Sequence, residues 1–342
     1  MIVNVLIHRL KEIIDSPKLD LYKSECFDEM MPLYQKCELE NWTGNGSRCS
    51  MGNMGMFQDR TRTLPHYLKM GGWEALPEYD SNFRKPFRDI ALEAAKAIVD
   101  CAQGQRISIS WSGGLDSTGA LFSLMQYADP KQLKVFCNYN SIVESGALFD
   151  TYIKGQGIEY CLTTPLQHPT FDEGLIVSGY LGDQLFGQYH NLQPEQFTMA
   201  WQDYLNRDQV EIMERILENW PGEPVKTVPE FLSFNELNSK WQMGKTNRMR
   251  NMPPEIASRI INFYETVDFQ KWSIGRYEEK YLSADRTTHK WAIKKLLKEL
   301  MNSEDYPMNK IVQTSHYHIL QHDWVMMLED GTNLYTKDFK LS

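Results

Sequence analysis

An α/β protein is predicted for this chain: a parallel β-sheet with helices on both faces, followed by a helical C-terminal part. Between about residues 105 and 180, short apolar runs that suit strands alternate with segments that suit helices, which is typical of a parallel sheet covered by helices. A glycine-rich turn joins the first of these runs to a helical segment. After residue 190 the patterning is mainly helical and is interrupted by prolines.

The first 86 residues differ in character from the rest. They begin helical and acidic, whereas residues 41–86 are rich in glycine, methionine and aromatic residues. Because residues 41–86 are too apolar for a free linker, we expect the extension formed by 1–86 to pack on the main body. The main domain is predicted over 87–342, with an α/β core at 87–190 and a mainly helical part at 191–342.

The predicted core begins with a helix. Helical spacing after residue 86 places Ile90, Ala94, Ala97 and Ile98 on one apolar stripe. Apolar runs bounded by turn residues then predict strands, and the longer segments between them predict helices. The expected elements are helix 87–100, strand 107–111, helix 116–128, strand 133–139, helix 144–155, strand 158–165 and strand 174–180.

The composition excludes several classes of function. The chain has 342 residues and a formal net charge of −9, which argues against broad binding of duplex DNA. No apolar run reaches the roughly 18 residues that a membrane span needs, and we expect no signal peptide at the N-terminus. The six cysteines include no CxxC pair and no zinc-finger pattern, so we expect reduced thiols in a cytoplasmic protein.

A glycine-rich turn with the sequence SGGLDS is the most specific feature of the chain. It follows a predicted strand and opens a predicted helix, where backbone N–H groups and the helix dipole converge on an anion. Gly113 and Gly114 let a phosphate approach the backbone, and Ser112 and Ser117 add hydroxyl donors. The Asp116 carboxylate would repel a bare phosphate, but it suits a magnesium ion held between carboxylate and phosphates.

This turn resembles the pyrophosphate-loop signature of the N-type ATP pyrophosphatases, which include asparagine, β-lactam, GMP and NAD synthetases. The resemblance implies an adenine nucleotide alpha hydrolase-like fold and a protein that uses ATP and Mg²⁺. It makes 87–190 the ATP-binding core and 191–342 the substrate-side part. Members of this family transfer AMP from ATP to an oxygen of the substrate and release pyrophosphate, and a nitrogen nucleophile then displaces AMP. The residues that the resemblance assigns to ATP and pyrophosphate are Ser112, Gly113, Gly114, Asp116 and Ser117.

A second segment, SGYLGDQLFG at 178–187, is similar to a motif of asparagine synthetases. The similarity implies that Asp183 binds magnesium together with Asp116; the alternative is an Asx turn before a helix. Tyr180 stands where β-lactam synthetase has a tyrosine, and Glu236, in FNELNS, matches the glutamate that completes a Tyr–Glu base in that enzyme. The alternative is that Tyr180 is a core aromatic residue and Glu236 a solvated helix residue.

A third segment, THKWAIK, resembles the stretch that carries the family's conserved cation. The resemblance implies that Lys290 is catalytic and binds ATP, because it would stabilise charge on the acyl-adenylate and the leaving phosphate. Lys294 stands where the family has arginine and shares a helix face with Lys290. The alternative is a basic, solvated helix face. The residues that the resemblance places against adenine are Phe136, Cys137 and Asn138.

The resemblance implies an ATP-dependent carbon–nitrogen ligase that forms an amide from a small-molecule carboxylate and an amine. About 105 residues precede the phosphate loop and position 2 is Ile2, so we expect no N-terminal glutaminase domain. The amine would therefore come from free ammonia, from a substrate amine, or from a separate ammonia-supplying or substrate-presenting protein. Neither a membrane nor a nucleic acid is expected as a partner.

Two other functions remain open. The first is a modification enzyme that adenylates a carbonyl oxygen of a nucleobase or tRNA, for which the basic stretch 240–250 is the main support. The second is a non-enzymatic relative that binds a nucleotide or a protein partner, with the aromatic and methionine-rich N-terminal segment as its surface.

Overall fold

The structure, a computed structural model, groups into two compact units. Unit 1 comprises Met1–Tyr79, Gly187–Arg250 and His322–Ser342, and unit 2 comprises Asp80–Phe186 and Asn251–Gln321. The domain boundaries expected from the sequence stay a prediction. The residues that the structure describes are 25, 28–29, 59–65, 74–137, 139–162, 174–187, 192–241, 254–281, 288–303, 325–327 and 333–335.

Unit 2 contains a five-stranded parallel sheet. The order across this sheet is β3-β2-β1-β4-β5, and every neighbouring pair is parallel. A parallel sheet in an α/β protein is therefore confirmed, and four of the strands overlap the four that the sequence predicts. Residues 138 and 163–165, at two predicted strand ends, lie outside the described residues. The strands are β1 (Ile107–Ser110), β2 (Leu133–Cys137), β3 (Glu159–Leu162), β4 (Leu175–Ser178) and β5 (Ile260–Asn262).

The fifth strand lies in the part of the chain that the sequence pattern predicts to be mainly helical. It has only three residues, which is too short for an alternating pattern to show in the sequence. Its place is set by pairing, since Ile260 lies opposite Ile176 and Ile261 lies opposite Val177 on β4. The sheet therefore gains an edge strand that local sequence does not indicate.

Helices flank the sheet of unit 2 and make up most of the regular structure described in unit 1. Helix α3 continues directly into a π-helical turn at Phe149–Lys154. Among the described residues, no helix has both the length and the apolar character to cross a membrane. The helices are α1 (Phe87–Ala102), α2 (Leu115–Leu124), α3 (Tyr139–Leu148), α4 (Gly182–Phe186), α5 (Trp201–Tyr204), α6 (Arg207–Leu217), α7 (Val228–Ser239), α8 (Pro254–Ala257), α9 (Val267–Gly275) and α10 (Trp291–Met301), and a separate antiparallel pair is formed by β6 (Val325–Met327) and β7 (Asn333–Tyr335).

The central strand is covered on both faces. Successive side chains of a strand point to opposite faces of the sheet, and Ile107, Ser108 and Ile109 are each at most 1% exposed. Continuous burial of this kind is typical of parallel sheets enclosed by other layers. Burial from two sides therefore includes Ser108 as well as the two isoleucines of the ISIS sequence.

Helix α1 buries a stripe that is rotated from the predicted one. Ile90, Ala94 and Ile98 are buried as expected, but Ala97 is exposed and Ala91 is buried in its place. An α-helix turns by about 100° per residue, and the buried side chains centre well to one side of Ala97. The predicted stripe was therefore wrong at this one position. At the start of the helix, Phe87 packs edge-on against Phe186 and Trp272, which fixes α1 to the aromatic core of unit 2.

In unit 1, part of the N-terminal segment packs on α7. The Arg60 guanidinium donates to the backbone carbonyls of Leu237, Glu74 and Ala75 and lies 4.9 Å from the centre of the Trp241 ring. Burial, partly offset by the Glu74 carboxylate, lowers the pKa of Arg60 to about 10. These contacts tie residues far apart in the sequence to the C-terminal end of one buried helix.

Candidate functional site

Two loops of unit 2 leave the sheet side by side at its carboxyl edge. Strand β1 pairs with β2 on one side and with β4 on the other, so the chain reverses its direction of travel across the sheet between β1 and β4. In open α/β sheets, ligands bind outside the carboxyl ends of the strands at such a reversal point. The loop after β1 carries SGGLDS and the loop after β4 carries SGYLGDQLFG, so the fold brings the first two sequence motifs together.

The phosphate loop is held in a tight conformation by its own groups. Gly113 has φ +78, and a Cβ there would lie 2.6 Å from the carbonyl oxygen of Ser141, so only glycine fits without displacement. The Ser112 N–H donates to the Ser117 hydroxyl at 3.1 Å, and that hydroxyl donates to the Gly114 carbonyl at 3.1 Å. Gly114 is the residue before α2, so the loop ends at the positive pole of a ten-residue helix.

Two glycines of the second loop allow it to touch the first. A Cβ on Gly179 would lie 2.7 Å from the Ser117 backbone, and a Cβ on Gly182 would lie 2.4 Å from the Asp116 carboxyl carbon. Between them, Leu181 has φ 75, a conformation that L side chains adopt only at a cost. The glycines and the strained leucine place Asp183, in the first turn of α4, beside the phosphate loop.

Lys290 joins the two loops through its ammonium group. Its Nζ lies 2.5 Å from Asp116 Oδ2 and 2.5 Å from Asp183 Oδ1, and the side chain is fully buried. Burial alone would lower the pKa of Lys290, but the Asp116 and Asp183 carboxylates outweigh it and raise the pKa. Lys290 immediately precedes α10 with φ 55, so the third motif also carries a strained residue at the site.

The alternative interpretation of the third motif as a solvated helix face is wrong at both of its lysines. Lys290 and Lys294 are both fully buried, whereas Lys295 and Lys298, later in α10, are exposed. This segment therefore has two buried lysines, Lys290 and Lys294, and two lysines in solvent, Lys295 and Lys298.

Two further residues support the phosphate loop and one supports the start of the second loop, and none of the three was found from the sequence. The hydroxyl of Tyr264 donates to the backbone carbonyl of Asp116 at 2.9 Å, and burial, reinforced by that aspartate, raises the pKa of Tyr264. Ser145 donates to the carbonyl of Gly113 at 2.9 Å from a kink within α3. Asn262, at the end of β5, accepts a hydrogen bond from Ser178 at 3.0 Å. Single polar or aromatic residues of this kind carry no sequence signal, because their role depends on chain crossings.

Tyr180 and Glu236 belong to different units, and the dyad between them stays a prediction. Tyr180 is half-buried, and its N–H donates to the Ser178 hydroxyl at 3.2 Å, so it is not a core aromatic residue. Glu236 is 2% exposed within α7 and pairs with Lys240, so it is not a solvated helix residue. Both structural alternatives, a core tyrosine and a solvated glutamate, are therefore wrong. The catalytic pairing itself rests on the resemblance.

The predicted adenine-binding residues lie partly at the end of β2. Phe136 and Cys137 are both 3% exposed, and Asn138 lies outside the described residues. Burial, with a smaller effect of Cys161, raises the pKa of the Cys137 thiol to about 11. The backbone N–H of Trp111, directly before the phosphate loop, donates to the Phe136 carbonyl at 2.8 Å. The end of β2 is therefore tied to the residue before the phosphate loop, and the adenine assignment stays a prediction.

The donor set of the site fits a magnesium ion. Asp116 and Asp183 converge on one point, since both contact the same ammonium group. Mg²⁺ prefers oxygen ligands and is commonly held by one or two carboxylates together with substrate phosphates and water. Within the described ranges, no cluster of three or more histidine, cysteine or acidic residues has the form of an all-protein metal site. A shared site completed by phosphates is therefore the arrangement that these residues suit.

No protein-family model matches the sequence, and no curated protein matches it significantly.

Proposed function

We propose that this protein is a Mg²⁺-ATP-dependent ligase that adenylates a substrate carboxylate and then forms an amide with an amine. The observation that carries the proposal is the contact of one buried ammonium, Lys290, with an aspartate from each of two loops at the reversal point of the sheet. An adenine nucleotide alpha hydrolase-like fold and a cytoplasmic setting are part of the same proposal.

The chemistry requires an anion site beside a cation. In the first step, a carboxylate oxygen of the substrate attacks the α-phosphorus of ATP, the bond to the bridging oxygen breaks, and pyrophosphate leaves. The backbone N–H groups of Gly113 and Gly114, the α2 dipole and the Ser112 hydroxyl would bind the departing phosphates. A bound Mg²⁺ would supply charge neutralisation of the phosphates, held by Asp116 and Asp183.

In the second step, the amine attacks the acyl carbon and AMP leaves with the bonding electrons. Lys290 would stabilise the negative charge that develops on the leaving phosphate, which is stronger in a water-excluded site than in solution. Tyr180, with Glu236 as its partner, is proposed to accept the proton that the amine loses. The substrates are a small-molecule carboxylate and an amine, with ammonia supply by another protein as one possible source of nitrogen.

The nucleic-acid alternative loses part of its support in unit 1. Lys240, the first cation of the 240–250 stretch, is 5% exposed and pairs with Glu236, so it does not offer a charge to an RNA backbone. The remaining cations of that stretch lie outside the described residues.

Exchange of labelled pyrophosphate into ATP tests the proposed function. Wild type should catalyse exchange only with a carboxylate substrate present, so a panel of amino acids and small dicarboxylates is screened. Lys290→Ala should lower the exchange rate by at least about 100-fold, as expected for loss of a charge-stabilising group. Lys295→Ala, an exposed lysine on the same helix, is the matched control and should keep the wild-type rate. No exchange with any carboxylate, despite ATP binding, would rule out this reaction.

A further inference from the structure

The ammonium of Lys290 lies where two carboxylates converge. Its Nζ contacts Asp116 Oδ2 and Asp183 Oδ1 at the same distance of 2.5 Å, and no part of the lysine side chain reaches solvent. The carboxylates themselves are largely covered, with 15% of the Asp116 side chain and 32% of the Asp183 side chain exposed. A cation that bound both aspartates would therefore have to share this point with the ammonium or displace it.

The lysine is held at this point by its backbone as well as by charge. The N–H of Trp291, the next residue, donates to the carbonyl of Lys280 at 3.0 Å. Lys290 has φ 55, and the N–H of Lys294 donates to its carbonyl at 3.1 Å. Withdrawal of the ammonium therefore requires another anion to draw it elsewhere.

Charge balance favours entry of a metal only with phosphate. The two carboxylates and the ammonium carry a single net negative charge, and a divalent cation added alone would leave a net positive charge in a mostly buried site. Unlike charges at short range in a protein attract by several kcal/mol, and like charges repel equally. A polyphosphate supplies the negative charge that compensates the metal and offers the ammonium new acceptors.

On the proposed function rests a further proposal: we infer that Lys290 keeps a divalent cation out of the Asp116–Asp183 site until the cation arrives as a complex with a polyphosphate. The ammonium acts as a placeholder for the metal in the nucleotide-free protein and becomes a phosphate ligand when the metal–nucleotide complex binds. The order of binding is thus set by a side chain that also takes part in the reaction.

Binding of Mn²⁺ alone, measured by the electron paramagnetic resonance signal of the free ion, tests this inference on the full chain without nucleotide. Lys290→Met should bind Mn²⁺ about 10- to 100-fold more tightly than wild type, because the repelling charge is gone. Lys290→Gln, which retains a hydrogen-bond donor for the carboxylates, should shift in the same direction. Asp183→Asn added to Lys290→Met should abolish the gain, and Lys295→Met should behave as wild type.

Two results would overturn the inference. One is an unchanged Mn²⁺ affinity in a folded Lys290→Met or Lys290→Gln protein. The other is tight binding of Mn²⁺ by nucleotide-free wild type that Asp183→Asn removes, a measurement that needs no Lys290 variant to fold.

Failure of the proposed function would be recognised separately. Calorimetry of wild type with Mg²⁺ and an ATP analogue that has a methylene bridge between the α and β phosphates tests nucleotide binding by itself. Absence of binding would count against the ligase, whereas nucleotide binding together with an unchanged Mn²⁺ affinity would count against the placeholder role alone.

Discussion

Glycine at position 182 is what allows the second loop to lie against Asp116. A Cβ there would meet the carboxyl carbon of Asp116 at 2.4 Å and its Oδ1 at 2.5 Å, far inside van der Waals contact. The aspartate cannot swing away without leaving Lys290, because the two are held at 2.5 Å. A single hydrogen atom in place of a methyl group therefore decides whether the carboxylate reaches the ammonium.

Gly182→Ala should consequently damage both stability and ligand binding. Overpacking of a tight contact costs about 1–3 kcal/mol of unfolding free energy, and displaced Asp116 should weaken binding of a Mg²⁺–nucleotide analogue. Urea unfolding and calorimetry measure the two effects. Gly146→Ala is the control, since a Cβ there would meet nothing within 4 Å. Wild-type stability and affinity in Gly182→Ala would show that the loops do not touch as described.

At the scale of elements, the phosphate loop after the central strand depends on a residue that follows the edge strand β5. Tyr264 follows β5 in the chain, is fully buried, and donates its hydroxyl to the carbonyl of Asp116. Gly119 on α2 makes room for it, because a Cβ there would lie 2.7 Å from the tyrosine hydroxyl oxygen. The first turn of α2 is thereby fixed to the segment after β5.

Tyr264→Phe removes this hydrogen bond and leaves the ring in place. The unfolding free energy should fall by about 1–3 kcal/mol, the cost of leaving a buried acceptor without its donor, and urea unfolding measures it. Tyr127→Phe, at a tyrosine that is 43% exposed, should change stability by less than about 0.5 kcal/mol. Equal effects of the two substitutions would contradict a supporting role for the Tyr264 hydroxyl.

The elements that the sequence predicts best are those whose burial is complete and local. Strand β1 has β-branched isoleucine at alternate positions, Ile107 and Ile109, which favours a strand, and SGGLDS shows the glycines that its turn needs. Strand β5 was missed because three residues carry no periodicity. The sequence predicts an ordinary helix over the π-helical turn at Phe149–Lys154, because the apolar spacing of a single turn does not distinguish an α-helix from a π-helix.

The site could be predicted only where a motif is contiguous. Ser112 to Ser117, Asp183 and Lys290 each sit in a recognisable segment, and the fold brings the two aspartates and the lysine together. Tyr264, Ser145 and Asn262 could not be found, because each acts through one hydrogen bond to a residue distant in the sequence. The pairing of Tyr180 with Glu236 remains a prediction from resemblance.

At the scale of the whole molecule, the two units are interleaved in sequence. Unit 2 is made of Asp80–Phe186 and Asn251–Gln321. Both segments contribute residues to its sheet and to the ion pairs between Lys290 and the two aspartates. The first segment supplies four strands and both aspartates, and the second supplies β5, Tyr264 and Lys290. Neither segment alone contains a complete site.

A fragment limited to residues 80–186 should therefore fail to fold cooperatively. It would lack the partner strand of β4 and helix α10, which packs against α1 and α2, and it would leave Asp116 and Asp183 without Lys290. Thermal unfolding followed by circular dichroism should show a broad, non-cooperative change for the fragment. The full chain, prepared in the same way, should show a sharp transition. A sharp transition in the fragment would contradict this dependence.

The net charge of −9 bears on how an anionic ligand could be attracted to the proposed site. An acidic protein gives an anionic nucleotide no general attraction, so binding must come from a few placed groups. Under the proposed function these groups would be the loop N–H groups, the α2 dipole and a lysine that two carboxylates hold in a charged state.

The distance along the chain between Asp116 and Lys290 also determines how long after Asp116 its lysine partner is synthesised. The two residues are 174 positions apart, and at about 5–20 residues per second a ribosome takes roughly 9–35 s to make the intervening chain. Throughout that interval the nascent phosphate loop carries acidic side chains whose lysine partner does not yet exist. The contact between the two loops and Lys290 is thus among the later ones of unit 2 that synthesis allows to form.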